Sequence, residues 1–230
     1  MLDRLLSPER RRRRALARVG EGPLHDYLAT PFPPRDADCD AVEIVALDFE
    51  TTGLDPRRDR ILSIGMVSIR HLVIHLGSAW HQIVQVDEAI PEDAAIIHEI
   101  TDDRSATGRP LEEVMPTLLR RLAGRVLLAH YAKIEQQFLD AACRRLYGGP
   151  FVIPTIDTLH LAHRIFERRN HSIQVGDLRL FNLRPRYNLP RYKAHNALSD
   201  ALSTAELFLA LVMDISPRPP RPLRQFLTRP

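Results

Sequence analysis

The chain has 230 residues, a formal net charge of +3, 27% charged residues and two cysteines, Cys39 and Cys143. This is enough for one α/β domain with an extension, and two cysteines without CxxC spacing exclude a disulfide framework and a cysteine-built zinc site. No apolar run reaches membrane-spanning length and no apolar core follows the N-terminal charges, so a reduced, cytoplasmic setting away from membranes is expected.

Residues 1–41 read as a basic extension: a helix through the arginine run, then a Pro-rich link at Thr30-Pro31-Phe32-Pro33-Pro34. Arg10–Arg14 carry five charges against a net of +3, so the remainder is mildly acidic. The run is either a solvated helix face or a phosphate-contacting one. Residues 42–215 read as the main domain. Strands are expected near 43–49, 61–70 and 73–86 as an antiparallel meander, with Gly53 and Gly77 near breaks. A helix near 110–123, a strand at 125–129, a helix at 132–147 and a strand near 152–156 follow. Helices near 157–168, 176–183 and 197–213 complete it. Residues 216–230 form a tail rich in proline and arginine (Arg218, Arg221, Arg224 and Arg229), open to phosphate contact or disorder. Within it Gln225-Phe226-Leu227 is similar to part of a clamp-binding peptide, but three residues are too few to assign. His160 and His163 share a helical spacing without an acidic partner, which places them at the surface.

Chemistry concentrates in Leu47-Asp48-Phe49-Glu50-Thr51-Thr52-Gly53-Leu54, behind the apolar run Ile44-Val45-Ala46-Leu47. Residues two apart on a strand share a face, so Asp48 and Glu50 sit side by side and repel. A cation is their natural partner, and oxygen donors without cysteine favour magnesium or manganese over zinc. Taken alone, the pair reads more simply as two solvated acids at a strand edge. Thr-Thr-Gly is a turn, with Gly53 able to let a substrate backbone come close.

Two further segments extend the pattern: Ala129-His130-Tyr131-Ala132-Lys133-Ile134-Glu135, and His195-Asn196-Ala197-Leu198-Ser199-Asp200-Ala201. With Asp48-Phe49-Glu50-Thr51-Thr52-Gly53 they resemble the DEDD superfamily of 3′–5′ exonucleases, in the branch that includes the proofreading subunit of bacterial replicative polymerases. Ile97-His98-Glu99-Ile100-Thr101 is similar to that family's intervening Val-His-Gly-Ile-Thr. The resemblance runs from about Ile44 to Leu211, in the family's order. Histidine stands five residues before Asp200 and Asn196 four before it, which indicates the histidine branch.

The resemblance implies a ribonuclease H-like mixed five-stranded sheet flanked by helices, and hydrolysis assisted by two divalent ions, Mg2+ or Mn2+. It implies Asp48, Glu50, Glu135 and Asp200 as metal ligands, with Asp48 bridging both ions, and His195 as general base; an ordinary imidazole pKa suits that role. Thr51, Thr52 and Leu54 match positions beside the terminal nucleotide. His98 is a weaker substrate contact, for which a structural role is the alternative. The implied partners are 3′-terminal or single-stranded nucleic acid, chiefly DNA, and a DNA polymerase. The family's usual Asp is Glu135 here, and its usual Asn is Tyr131. Glutamate offers the same acceptor-only carboxylate one methylene further out. The other reading is an exonuclease-like interaction module that has lost a ligand. Asp140 is no substitute, because five residues along a helix it points away from Glu135.

Overall fold

The computed structural model describes residues 6–228; Arg229 and the first five residues of the extension lie outside that range. Five strands form one mixed sheet in the order β3-β2-β1-β4-β5. They are β1 (Ile44–Thr51), β2 (Ile61–Arg70), β3 (Val73–Ile83), β4 (Val126–Ala129) and β5 (Thr155–Asp157). The first three form the expected antiparallel meander, and β4 and β5 run parallel to β1. Alternation along β1 divides the molecule into two cores. Val45, Leu47 and Phe49 face one layer, made by α2 (Pro23–Ala29), α5 (Leu111–Leu122) and α6 (Lys133–Tyr147). Ile44 and Ala46 face the other, made by α7 (Thr158–Arg168) and α9 (Ala197–Ile215). By the same alternation Asp48 and Glu50 project toward α9.

Several boundaries differ from expectation for local reasons. Strand β5 starts at Thr155 rather than near 152. Pro154 has no N–H to donate, so Phe151, Val152 and Ile153 are buried as extended chain without a ladder. The helix expected at 176–183 shrinks to one turn, α8 (Leu180–Leu183), continued by a 3₁₀ turn Arg184–Tyr187. Gly176 has φ +91° and the Asp177 carboxylate accepts from the Gln174 N–H, which makes that stretch a turn. Strand β3 ends at Ile83, and residues 76–79, with Gly77, bulge out between the pairs Ser68–His75 and Met66–Trp80. Three short helices had no counterpart in the reading: α2, α3 (Glu92–His98) and α4 (Asp102–Ala106).

Both terminal segments pack on this body. In α1 (Pro8–Leu16) most arginines are solvated, but Arg12 is buried, paired with Glu9 at 2.7 Å and bonded to the Leu28 carbonyl. In α2, Leu24, Tyr27 and Leu28 are buried, and the Tyr27 hydroxyl donates to Val152 O at 2.8 Å. The tail is ordered through Thr228: Leu223 and Phe226 are fully buried, and Leu227 pairs across the exposed side of β5 with Ile156. Thr228 N–H donates to Thr155 O at 2.8 Å, so the tail covers the open edge of the sheet. With Phe226 in the core, a clamp-binding role for Gln225-Phe226-Leu227 would require the tail to unfold locally. Among the described residues no helix is long and apolar enough to cross a membrane.

Candidate active site and metal centre

Three elements bring the acids together. Strand β1 supplies Asp48 and Glu50, and a register shift between Glu50 and Thr51 ends its regular pairing beside them. Bulges of this kind re-aim side chains near sites. Helix α9 supplies Asp200 from its first turn, and α6 supplies Glu135 from its own.

The approach of α9 depends on a residue the sequence reading passed over. Gly65 lies opposite Asp48 in the β1–β2 ladder, and a Cβ there would stand 2.1 Å from the backbone carbon of Ala197. Ala197, Ala201 and Ala205, fully buried at four-residue spacing, let the rest of α9 lie close on the sheet. Gly65 was legible as a lone glycine in an apolar strand, a pattern that marks a close backbone approach. Asn196 caps α9, its side chain accepting from the Ser199 N–H at 3.1 Å. His195 adopts φ +65°, which turns its own N–H onto Asp200 Oδ2 at 3.1 Å.

Asp157 is a second residue that was passed over. Its carboxylate accepts from the backbone N–H groups of Tyr131 and Ala132, each at 3.0 Å, and from Leu159 at 2.9 Å. It thereby caps α7 and pins the β4–α6 turn that sets Glu135. An Asp directly before a helical pattern was the available signal. Arg184, buried and paired with Glu206 at 2.6 Å, donates to Pro190 O and Ser203 O at 2.7 Å each. It ties the loop before His195 to α9.

Carboxylate oxygens of Asp48, Glu50 and Asp200 lie within 4.8 Å of one another. Glu135 is buried nearby, although it does not join that tight group. Burial pushes the Asp48 carboxyl well above the usual carboxylate range, and the charges of Glu135, Glu50 and Asp200 push it further. Burial raises Glu135 to about 8, against its own helical N–H bond and with help from the charges of Asp157 and Glu50. Asp200 rises to about 7 through burial and Glu50, offset partly by the His195 N–H, Arg184 and His98. Glu50 Oε1, Glu135 Oε2 and Asp200 Oδ1 are buried and have no hydrogen-bond partner. Buried acceptors that repel one another and lack donors suit a hard divalent cation, so the acidic residues could hold a metal ion.

The remaining candidates lie around this centre. His98 Nδ1 is 2.5 Å from Glu50 Oε2, and His195 is exposed beside it. Leu54 is 73% exposed, free to meet a ligand. Thr51 Oγ1 donates to Gly53 O at 2.7 Å, and Thr52 Oγ1 accepts from the Arg60 N–H at 2.9 Å, so both hydroxyls also hold the turn. A Cβ at Gly53 would stand 2.5 Å from the Asp59 carboxylate, so the turn packs against Asp59 at a point where only glycine leaves room. His130 is structural, hydrogen-bonded to Thr158 at 2.8 Å and lowered to about 4 by burial. Asp140 pairs with Arg144 at 2.7 Å and is turned away from the acids as expected. His160 is exposed and His163 sits 3.3 Å from Glu167 on the solvated face of α7.

The fold is that of the ribonuclease H-like exonucleases. The zinc-bound form of E. coli exonuclease I in complex with single-stranded DNA matches with a TM-score of 0.66 at 16% identity, over 77% of this chain and 42% of that one. The nuclease domain of 3′hExo, a DEDDh family member bound to rAMP, matches with 0.64 at 17% identity, over 77% and 95%. The chain belongs to the exonuclease family (RNase_T), whose sequence model matches residues 45–208. Among curated relatives, the DNA polymerase III subunit epsilon of Treponema pallidum is 32% identical over 171 residues, 74% of this chain and 77% of that protein. The PolC-type DNA polymerase III of Thermotoga petrophila is 32% identical over 192 residues, 81% of this chain but 13% of that protein. The chain thus spans a small part of the PolC-type relatives.

Proposed function

We propose that the chain is a metal-dependent 3′–5′ exonuclease that removes nucleoside 5′-monophosphates from the 3′ ends of nucleic acid, with single-stranded DNA as its preferred substrate. The observation that carries this reading is the group Asp48, Glu50 and Asp200, whose carboxylate oxygens converge within 4.8 Å on a sheet of exonuclease type, with Glu50 Oε1 and Asp200 Oδ1 buried and unpartnered. Two divalent ions, Mg2+ or Mn2+, would supply positive charge to the attacking and leaving oxygens of the phosphodiester. Asp48, Glu50, Asp200 and Glu135 would hold them, Asp48 between the two. His195 accepts the proton of the attacking water, whose oxygen bonds to phosphorus as the bond to the 3′ oxygen breaks; that oxygen leaves with the bonding electron pair and takes a proton from solvent to become a hydroxyl. Leu54 packs against the terminal base, with Thr51 and Thr52 beside the terminal nucleotide and His98 steadying Glu50.

The reading as a non-catalytic interaction module has less support, because Glu135 keeps a buried carboxylate next to the other three. A polymerase is the partner class we propose, since the relatives are named as parts of DNA polymerase III, and the cytoplasm is the matching compartment. The test is product analysis. Metal-loaded protein should release 5′-mononucleotides from DNA with a free 3′ end, faster than from RNA or from duplex, and EDTA should stop it. Internal cuts, or release that ignores EDTA, would reject the reading.

A further inference from the structure

Glu50 belongs to two groups of donors at once. Its Oε1 is buried without a hydrogen-bond partner and its Oε2 lies 2.5 Å from His98 Nδ1, while one of its oxygens lies within 4.8 Å of Asp48 and Asp200 oxygens. Donor atoms of Glu50, His98 and His195 also lie within 4.8 Å of one another. The two imidazoles meet edge to face, with ring centroids 6.0 Å apart and planes at 70°. His98 Nδ1 is itself buried and makes no well-directed hydrogen bond. The three residues come from β1, the last turn of α3 and the loop before α9, and the Lys193–Glu99 ion pair at 2.5 Å links the latter two.

We propose that Glu50, His98 and His195 form a second metal site, selective for zinc and similar borderline ions, at which a bound ion switches hydrolysis off. Two imidazoles and one carboxylate are a sufficient protein ligand set for zinc, leaving a position for water. Nitrogen donors favour zinc over magnesium, which prefers the all-oxygen group next door. A simple His98–Glu50 ion pair would account for one contact but not for the convergence of His195 on the same point. Occupation would divert Glu50 from the acidic group and His195 from proton transfer. This inhibitory half rests on the exonuclease reading; the binding itself does not.

The test uses the full chain and Zn2+ alone, in competition with a chromophoric chelator. His98→Gln should weaken zinc binding by roughly tenfold or more, as loss of a ligand does. Asp48→Asn, which alters the acidic group at a residue outside the Glu50, His98 and His195 group, should bind zinc within about threefold of the unmodified chain, a factor small beside a lost ligand. The reverse order would place zinc among the acids and overturn the proposal. If His98→Gln melts abnormally by circular dichroism, imidazole 15N spectra of the unmodified chain decide instead. Zinc should then shift the ring nitrogens of two of the ten histidines, and unmoved imidazoles overturn it. In the activity arm, zinc should inhibit magnesium-driven hydrolysis at the concentration set by the same dissociation constant. Full hydrolysis by zinc-loaded protein overturns the switch. A chain with no hydrolysis under magnesium or manganese counts against the exonuclease reading and leaves the zinc titration standing.

Discussion

Gly65 and Ala197 meet backbone to backbone: a Cβ at position 65 would lie 2.1 Å from the Ala197 carbonyl carbon. This contact sets how closely α9 approaches the sheet, and with it the distance from Asp200 to Asp48. Gly65→Ala should therefore cost stability in the range of about 1–3 kcal/mol or more, as overpacking does. It should also cut kcat on the order of 10²-fold, because a shift of about an ångström is enough to misplace a ligand. Thermal melting and single-turnover rates check both, and a variant equal to wild type would mean that α9 can retreat without consequence.

The crowded acids make the metal-free protein sensitive to pH. Asp48, Glu135 and Asp200 all have carboxyls raised above their unfolded values, the last two to about 8 and about 7. A raised carboxyl binds more protons in the folded state, so its stabilisation is complete below the unfolded pKa of about 4 and is lost as pH rises through the folded value. The melting temperature of EDTA-treated protein should fall between about pH 4 and pH 8. Saturating Mn2+ should reverse that fall, and its stabilising effect should grow with pH because the ion competes with protons. Melting curves that rise with pH in EDTA would show that the acids do not repel one another as the geometry implies.

Glu135 replaces the family's usual Asp, and substitution at that position separates ligand from scaffold. Glu135→Gln keeps the size and removes the charge, so metal affinity should fall by roughly 10–100-fold with little loss of stability. Glu135→Asp should keep measurable activity, with manganese the better ion. Isothermal titration with Mn2+ reads the difference. Unchanged binding in Glu135→Gln would make the position structural.

The tail behaves as part of the core. Phe226 is fully buried, with its ring edge-on to Phe208 at a centroid distance of 6.1 Å. Phe226→Ala should cost about 3–5 kcal/mol, read by chemical denaturation. A loss below about 1 kcal/mol, typical of a surface change, would mean that the tail does not hold its place in solution.

The sequence exposes what is local and periodic. The alternation of Ile44 to Glu50 places two acids on one face of a strand, and Asn196 marks the start of the helix that carries Asp200. The helix of Glu135, by contrast, has no side-chain cap of its own and is held by Asp157. What was missed depends on partners distant in the chain. Leu223 and Phe226 sit among prolines and arginines that suggest a loose tail, yet they fill a core formed by α7 and α9. Leu24 and Tyr27 close the opposite layer although they precede the Pro-rich link. Helix α3 is too short to announce itself, so the placement of His98 against Glu50 had no signal beyond family resemblance.

The central claim is that the converging carboxylates perform metal-dependent removal of 3′-terminal nucleotides. It is tested most directly by incubating unmodified and Asp48→Ala protein with 5′-end-labelled single-stranded DNA in Mg2+ or Mn2+, each with an EDTA control. Stepwise shortening from the 3′ end by the unmodified chain alone, abolished by EDTA, is the expected result. Equal shortening by Asp48→Ala, or none by the folded, metal-loaded unmodified chain, would contradict it.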